Sequence, residues 1–263
     1  MSMRLSSYAI CGTGLVRSEN QDNLYVNGAY REDILDNSPF RYADIIEKHG
    51  LYVVADGMGG ESHGALASLV AVQAIRSANL SGGHKGMVAY LVERNAIICN
   101  MIMMNDGARI GSTFVSLNII GDCAELTNLG DSRAYMLRDG KFTRLSHDHT
   151  PTQQMMDHGI LTEDEARAHP DRHRLVQHLG VFPDEMRIEP YTTSVVCEAG
   201  DIFLLCSDGL ADMLTDAEIK KVLDSSGTIE QGAEVLFGEA IRSGGKDNIT
   251  IIMVQAKRGG IFR

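Results

Sequence analysis

The sequence has no tryptophan, and only five of its 263 residues are cysteine. The cysteines are odd in number and include no CxxC pair, which argues against a disulfide framework. Most of them lie in apolar runs, so we expect free, buried thiols in a reducing compartment. They are Cys11, Cys99, Cys123, Cys197 and Cys206.

An excess of basic charge and long apolar runs are also absent. The chain carries 24 basic and 35 acidic residues, a net charge of −11, which argues against nucleic acid or an anionic membrane as the main partner. No apolar run approaches the roughly 18 residues of a membrane span. The opening sequence MSMRLSSYAICGTG lacks the basic-then-apolar layout of a signal peptide. We therefore expect a cytoplasmic protein with no nucleic-acid or membrane partner.

The length and the hydrophobic content of 44% suit one large domain or two small ones with a substantial core. Apolar runs predict strands at 6–13 and 51–55, and period-two alternation predicts four more from STFVSLNII to KFTRLS. Further strands are predicted at 186–196, 201–206 and 248–256. Helical patterns occupy 61–80, 87–105, 215–224 and 228–242. This order of strands and helix pairs predicts two sheets packed face to face with helices outside.

Two polar segments interrupt this pattern. Residues 31–50 (REDILDNSPFRYADIIEKHG) have the composition of an inserted loop with a helical turn. Residues 148–180 are polar and rich in histidine, and their pattern predicts short helical pieces. Thr162 followed by Glu165 forms a capping-box pattern, which marks the start of one such piece.

Aspartates stand at the ends of several apolar runs. Asp56 follows LYVVA, Asp131 follows LTNLG and Asp208 follows IFLLCS, while Asp247 precedes NITIIMV and Asp22 closes RSENQD. A single Asp-Gly after a strand is usually a turn, so no one of these is informative alone. Several carboxylates that meet at strand ends would form an all-oxygen cage for a hard divalent cation.

The ligand chemistry favours Mg²⁺ or Mn²⁺, because no histidine or cysteine stands at these positions as zinc would prefer. Two such ions roughly 3.5–4 Å apart can bridge a water, lower its pKa and direct it at phosphorus. Arg17, five residues before Asp22, would grip phosphate oxygens with its bidentate guanidinium. The carboxylates of a two-metal site would be Asp22, Asp56, Asp208 and Asp247, with the backbone carbonyl of Gly57.

The motifs GLVRSENQD, VVADGMGG, GSTFV, NLGDSRAY, LSHDHT, GILTEDEARAHPDRHRLVQHLG, FLLCSDGL and GGKDNIT lie in this order within residues 12–254. In this series the chain resembles the type-2C metal-dependent protein phosphatases in their bacterial single-domain form. The resemblance implies an α+β fold, a four-layer α/β/β/α sandwich of two antiparallel sheets flanked by helix pairs. It also implies one catalytic domain over 1–263, with a flap at about 148–180, and hydrolysis of phosphoserine and phosphothreonine by a metal-bridging hydroxide.

The resemblance assigns a role to each matching residue. Asp56 would bridge two metals and Gly57 would offer its carbonyl to one of them. Asp208 and Asp247 would complete the first site, and Asp22 would hold the second metal through its waters. Asp131, with Asp208, would contribute to a third, weaker site. Arg17 would bind the substrate phosphate.

Two positions depart from the family pattern. Gln21 stands where many members have glutamate, which removes a charge near the second metal. Met58 stands where eukaryotic members carry a histidine that is their proposed general acid, and a thioether donates no proton. A metal-bound water is then the first candidate for the acid and His63 a weaker one, since His63 is expected on the first turn of a helix. His173 and His178 are expected in flap packing or on the surface.

Two other functions remain open from the sequence. One is a pseudophosphatase that binds phosphoproteins without turning them over, although decayed members lose the aspartates kept here. The other is a phosphatase of small phosphoesters. For a protein phosphatase, the expected partners are phosphorylated proteins, among them a Ser/Thr kinase and its targets, and the expected state is a monomer.

Overall fold

The computed structural model describes residues 3–59 and 63–259. Gly60 of the DGMGG motif, and Glu61 and Ser62 at the start of the predicted helix 61–80, lie outside the described residues. The elements are numbered below in chain order.

The first half of the chain forms a strand-rich portion followed by two helices. The strands are β1 (Met3–Gly12), β2 (Asp22–Val26), β3 (Ala29–Tyr30), β4 (Phe40–Glu47) and β5 (His49–Gly59). The helices are α1 (His63–Gln73) and α2 (His84–Met104).

The second half begins with a run of short strands, followed by the flap. The strands are β6 (Ile110–Ser112), β7 (Phe114–Ile120), β8 (Cys123–Leu129), β9 (Arg133–Arg138) and β10 (Lys141–Arg144). The flap contains α3 (Pro151–Asp157) and α4 (Glu163–Ala168). The chain continues with β11 (Tyr191–Val196), β12 (Ile202–Cys206), α5 (Asp208–Ala211), α6 (Asp216–Ser225), α7 (Ile229–Arg242) and β13 (Ile249–Arg258).

The strands form two antiparallel sheets. One has the order β10-β9-β12-β13-β1-β4, and the other has the order β11-β8-β7-β5-β2-β3 with β6 paired to β5. The sheets pack face to face over an apolar core that includes Leu5, Tyr52, Leu117 and Phe203. Alternating side chains on each strand supply this face, so β periodicity in the sequence fixes which residues meet here.

A helical layer covers the outer face of each sheet. Helices α1 and α2 bury residues such as Val70 and Leu91 against the second sheet, and α6 and α7 bury Ile219 and Leu236 against the first. Three apolar cores therefore separate four layers, and the predicted α/β/β/α sandwich is confirmed. The two helices predicted at 215–224 and 228–242 are present as α6 and α7, and their bounds lie within one residue of the predicted ones.

Helix α2 has the length and mean hydropathy (1.3) of a membrane span, but 44% of that window is buried inside the protein. Its buried face includes Asn95, whose side-chain oxygen accepts from the backbone amides of Gly180 (2.7 Å) and Val181 (3.1 Å). Burial against the sheet and hydrogen bonds to a neighbouring loop are typical of a core helix in a globular domain.

The prediction of an inserted loop at 31–50 is wrong for residues 40–47 and 49–50. Residues 40–47 form β4, which pairs with β1 at the edge of the first sheet, and residues 49–50 begin β5. Phe40, Tyr42 and Ile46 point inward in alternation with exposed residues, but Asp44 stands at an inward position and weakens the pattern. Its Oδ2 accepts from Asn27 Nδ2 at 3.1 Å, which satisfies the carboxylate at the sheet edge.

The flap has the predicted character of short helices held by side-chain caps. Thr162 accepts from the Glu165 backbone amide, and the Glu165 carboxylate accepts from the Thr162 amide at 2.8 Å, so the predicted capping box is present. Of the cysteines, four are buried as expected, whereas Cys123 is exposed at the start of β8, beside a turn.

Candidate metal centre and phosphate site

A cleft of about 790 Å³ opens beside the flap, and six of the seven predicted site residues line it. The seventh, Asp22, lies below the cleft surface and is only 1% exposed. The residues that line the cleft are Arg17, Asp56, Gly57, Asp131, Asp208 and Asp247. The fold thus gathers aspartates that are up to 225 residues apart in sequence.

Asp22 and Asp56 are brought together by strand pairing. Asp22 begins β2 and lies directly opposite Asp56 in the antiparallel register of β2 and β5. The Asp56 amide donates to Thr113 Oγ1 (3.0 Å), and the Asp56 carbonyl accepts from the Thr113 amide (2.8 Å). Backbone pairing therefore fixes the backbone positions from which both carboxylates extend, and it does so before any ligand binds.

Gly57 is required by the close approach of three chain segments. A Cβ on Gly57 would lie 2.0 Å from the carbonyl oxygen of Gly64 and 2.5 Å from that of Gln21. The Gly57 amide also donates to the Gln21 carbonyl at 3.2 Å. Any side chain here would push the Asp56 strand away from the loop that ends at Asp22.

Asp208 and Asp247 come from neighbouring strands of the other sheet. Asp208 follows β12 and begins α5, while Asp247 stands two residues before β13. A Cβ on Gly209 would lie 1.9 Å from the Asn248 carbonyl oxygen, so the glycine after Asp208 allows the two segments to touch. The glycine after Asp208 is therefore required by packing as well as by the turn.

The carboxylates raise one another's pKa. Burial raises the pKa of Asp56 well above its ordinary value, and the negative charges of Asp22 and Asp208 raise it further. Burial likewise raises the pKa of Asp22 to about 6. For Asp131 burial, together with the charge of Asp148, raises it to about 7. A cluster of like charges withdrawn from water is stabilised by a bound cation.

Three buried carboxylate oxygens lack hydrogen-bond partners among the described residues: Asp22 Oδ1, Asp148 Oδ1 and Asp208 Oδ1. Asp148 is paired through its Oδ2 with Arg133 (2.7 Å), whereas Asp22 and Asp208 are candidate metal ligands. The other oxygen of Asp22 accepts from Thr250 Oγ1 at 2.7 Å, which orients the carboxylate. Unpartnered buried oxygens are costly unless a ligand meets them. The donor set is all oxygen and fits Mg²⁺ or Mn²⁺ rather than zinc.

Arg17 lies at the rim of the cleft. Its Nη2 donates to Asp247 Oδ2 at 2.7 Å, while its side chain is 57% exposed. A surface pair of this kind contributes only about 0–1 kcal/mol. The guanidinium can therefore exchange this contact for a phosphate dianion at little cost.

Asn248 is a positioning residue that the sequence analysis missed. Its Oδ1 accepts from the Gln21 amide (2.8 Å), and its Nδ2 donates to the carbonyls of Thr13 (3.0 Å) and Glu19 (2.9 Å). It thereby ties the segment that carries Arg17 to the start of β13. The KDNIT motif contains this residue, but only the fold reveals which backbone groups it holds.

Gln21 also has a structural task that a glutamate could not perform in the same way. Its Nε2 donates to the Gly59 carbonyl at 3.0 Å and so ties the DGMGG segment to the loop before β2. A carboxylate has no proton to donate to that oxygen at neutral pH.

The histidines near the cleft differ in part from expectation. His63 begins α1, as predicted. His173 and His178, expected in flap packing or on the surface, both line the cleft together with Met58. His173 Nε2 lies 3.4 Å from Asp212 Oδ2, and its Nδ1 lies 3.9 Å from Asp208 Oδ2. The flap therefore brings imidazole groups to the carboxylate cluster.

Residues 25–236 match the family model described as Protein phosphatase 2C. This chain belongs to that family. Among the relatives is the serine/threonine protein phosphatase PstP of Mycobacterium tuberculosis, 32% identical over a 247-residue alignment that covers 91% of this chain and 43% of PstP. The chain therefore spans less than half the length of that relative. The protein phosphatase PhpP of Streptococcus pneumoniae is 31% identical over 92% of this chain and 93% of its own.

The structural comparison agrees with this assignment to protein phosphatase 2C. The crystal structure of the PstP catalytic domain in complex with two manganese ions has a TM-score of 0.77 and 29% identity, and the match covers 97% of this chain and 100% of that one. The predicted family and fold are confirmed. The assignment of individual ligands and of a third metal stays a prediction.

Proposed function

We propose that this chain is a metal-dependent protein serine/threonine phosphatase in which the cleft aspartates hold two divalent ions. The observation that carries the proposal is the pair of unpartnered buried oxygens, Asp22 Oδ1 and Asp208 Oδ1, within a cluster of like-charged carboxylates. Such a cluster is unfavourable in a merely structural role. A ligand that supplies positive charge accounts for it.

The residues that would hold the two ions are Asp22, Asp56, Asp208, Asp247 and the backbone carbonyl of Gly57. Asp131 and Asp208 would hold a third, weaker ion. When bound, Mg²⁺ or Mn²⁺ lowers the pKa of water and neutralises charge on a phosphoryl group. The protein's part is to fix the carboxylates before binding, through β pairing and the Thr250 contact.

Arg17 binds the substrate phosphate in this proposal. Its planar guanidinium matches two phosphoryl oxygens, and its position at the cleft rim places it where a phosphorylated side chain enters. Because it contacts the phosphate in both ground and transition states, Arg17→Ala should raise KM roughly tenfold or more with a smaller change in kcat.

The proposed substrates are phosphoserine and phosphothreonine in proteins, including a Ser/Thr kinase and its targets. The family membership and the names of the relatives support this class. The open cleft beside the flap offers room for a polypeptide segment. A cytoplasmic, monomeric signalling enzyme of bacterial type is part of the same proposal.

The test is release of phosphate from a phosphothreonine peptide with EDTA, Mg²⁺ or Mn²⁺, and with free phosphothreonine as a second substrate. Metal-dependent release that Asp56→Ala lowers by orders of magnitude, with the peptide preferred, is the expected result. Preference for the free amino acid would favour a small-phosphoester phosphatase. A folded wild-type protein that binds Mn²⁺ but releases no phosphate would favour the pseudophosphatase.

A further inference from the structure

Residues 31–39, between β3 and β4, lie along the segment that carries the phosphate and metal residues. We name residues 31–39 the strap and residues 13–22 the cleft loop, which contains Arg17 and ends at Asp22. Two strap residues, Arg31 and Asn37, make most of the polar contacts between the two segments.

Arg31 is a buried cation that binds backbone carbonyls of the cleft loop. It is only 4% exposed. Its Nη1 donates to the Asn20 carbonyl (3.3 Å) and to the Asp22 carbonyl, and its Nη2 donates to the Asp36 carbonyl within the strap (2.9 Å). The Arg31 guanidinium thus joins Asp22, which begins β2, to Asp36 within the strap.

The backbone of Arg31 is itself fixed beside Asp22. The Arg31 amide donates to Asn23 Oδ1 (3.1 Å), and Asn23 Nδ2 donates to the Arg31 carbonyl (3.0 Å). Asn23 is fully buried and follows Asp22 directly. Arg31 is therefore held at both ends, and its fork presents a fixed geometry to the cleft loop.

Asn37 makes a second set of contacts from the exposed part of the strap. Its Oδ1 accepts from the Asn20 amide (2.9 Å), and its Nδ2 donates to the Ser18 carbonyl (3.2 Å). Its carbonyl accepts from Thr13 Oγ1 at 3.2 Å. These contacts reach both sides of Arg17 in the chain, and Asn248, just before β13, binds further backbone groups of the same loop.

We propose that the strap positions the cleft loop, so that Arg31 and Asn37 are positioning residues for the second-metal ligand Asp22 and for Arg17. This inference rests on the proposed function of the cleft as a metal and phosphate site. Ordering a loop costs conformational entropy, and contacts with the strap order the cleft loop before metal or substrate binds. Partners that orient metal ligands typically contribute roughly 10–100-fold in metal affinity.

The test compares Arg31→Met, Arg31→Lys and Asn37→Ala with the control Arg41→Met. Arg41 lies just beyond the strap on β4, and its guanidinium pairs with Glu234 at the surface (2.7 Å). Mn²⁺ binding is measured by titration calorimetry, and hydrogen exchange of the Asn20 amide by NMR. Asn37 is exposed, so Asn37→Ala tests the proposal even if Arg31→Met fails to fold.

One of two Mn²⁺ sites should weaken roughly 10–100-fold in Arg31→Met, less in Arg31→Lys and a few-fold in Asn37→Ala. The Asn20 amide should exchange faster in Asn37→Ala, and Arg41→Met should match the wild type. Unchanged Mn²⁺ affinity and Asn20 exchange in folded Asn37→Ala and Arg31→Lys would overturn the proposal. Because neither readout needs turnover, an inactive wild type that binds Mn²⁺ would refute the proposed function and leave the strap's role testable.

Discussion

Strand β12 has an aspartate near each end, and the two aspartates are in opposite circumstances. Asp201, just before the strand, is 1% exposed and receives Arg138 in a bidentate pair at 2.7 and 2.6 Å, with the Glu198 amide at 2.7 Å. Asp208, just after the strand, keeps 21% of its side chain exposed and faces other carboxylates. Within the described part of the chain its Oδ1 has no hydrogen-bond partner, and the nearest cationic candidate there is the flap residue His173, at 3.9 Å.

The contrast separates a structural aspartate from a ligand. At one end of β12 the protein supplies its own cation and satisfies the carboxylate within the fold. At the other end it concentrates negative charge, which is favourable only when an external cation is present. Charge pairing therefore distinguishes the two roles.

The largest effect that would test this contrast is expected for Asp208→Asn. Loss of the charge should lower kcat by at least a factor of about 1,000, or about 4 kcal/mol of transition-state stabilisation. Metal-free stability should stay equal or rise, because one member of a repulsive cluster is neutralised. Turnover of a phosphothreonine peptide at saturating Mn²⁺ measures the change in kcat. Urea denaturation without metal measures the change in stability. Activity within tenfold of the wild type would contradict the ligand role.

Asp201→Asn should show the reverse pattern. Removal of one partner of a buried pair costs about 3–5 kcal/mol of unfolding free energy. We expect the lower end, since Arg138 keeps 26% of its side chain exposed and retains Glu198 at 2.9 Å. Turnover per folded molecule should be unchanged. Urea denaturation provides the measurement, and a loss of turnover in the folded variant would show that the two ends are not independent.

Stabilisation of the protein by Mn²⁺ should depend on Asp208 and not on Asp201. At a concentration one hundred times Kd, a ligand that binds only the folded state adds about 2.7 kcal/mol. The rise in Tm should be the same in Asp201→Asn as in the wild type and clearly smaller in Asp208→Asn. An equal rise in all three proteins would place the ion elsewhere.

The smallest effect concerns the pH dependence of stability and involves His149, which contacts Gly130 beside the cleft residue Asp131. Burial lowers the pKa of His149 below its ordinary value of 6.5, and the Gly130 amide donates to its Nδ1 at 3.1 Å. Because the unfolded state takes up this proton at a higher pH than the folded state, stability should fall as pH drops below 6.5. His149→Asn keeps an acceptor but cannot be protonated, so its unfolding free energy should lose part of this acid dependence. An identical pH profile would contradict the assignment.

Much of the fold and of the candidate site could be predicted from the sequence. Apolar runs ending in Asp56, Asp131 and Asp208 predicted strand ends with carboxylates, and the structure places all three at one cleft. Strand β4 was missed, because it lies at a sheet edge and Asp44 stands at an inward position. The expectation that Gln21 only removes a charge missed the bond from its Nε2 to the Gly59 carbonyl.

The sequence by itself determined most of the strand and helix pattern and the family, and it predicted the ligand types, because these follow from local periodicity and from motifs of adjacent residues. Only the tertiary structure decided that Arg31 and Asn37 hold the cleft loop and that Asp201 is neutralised by Arg138 while Asp208 is not. These contacts join residues far apart in sequence, often through backbone carbonyls, which every residue type possesses. Such contacts leave no residue pattern in the sequence.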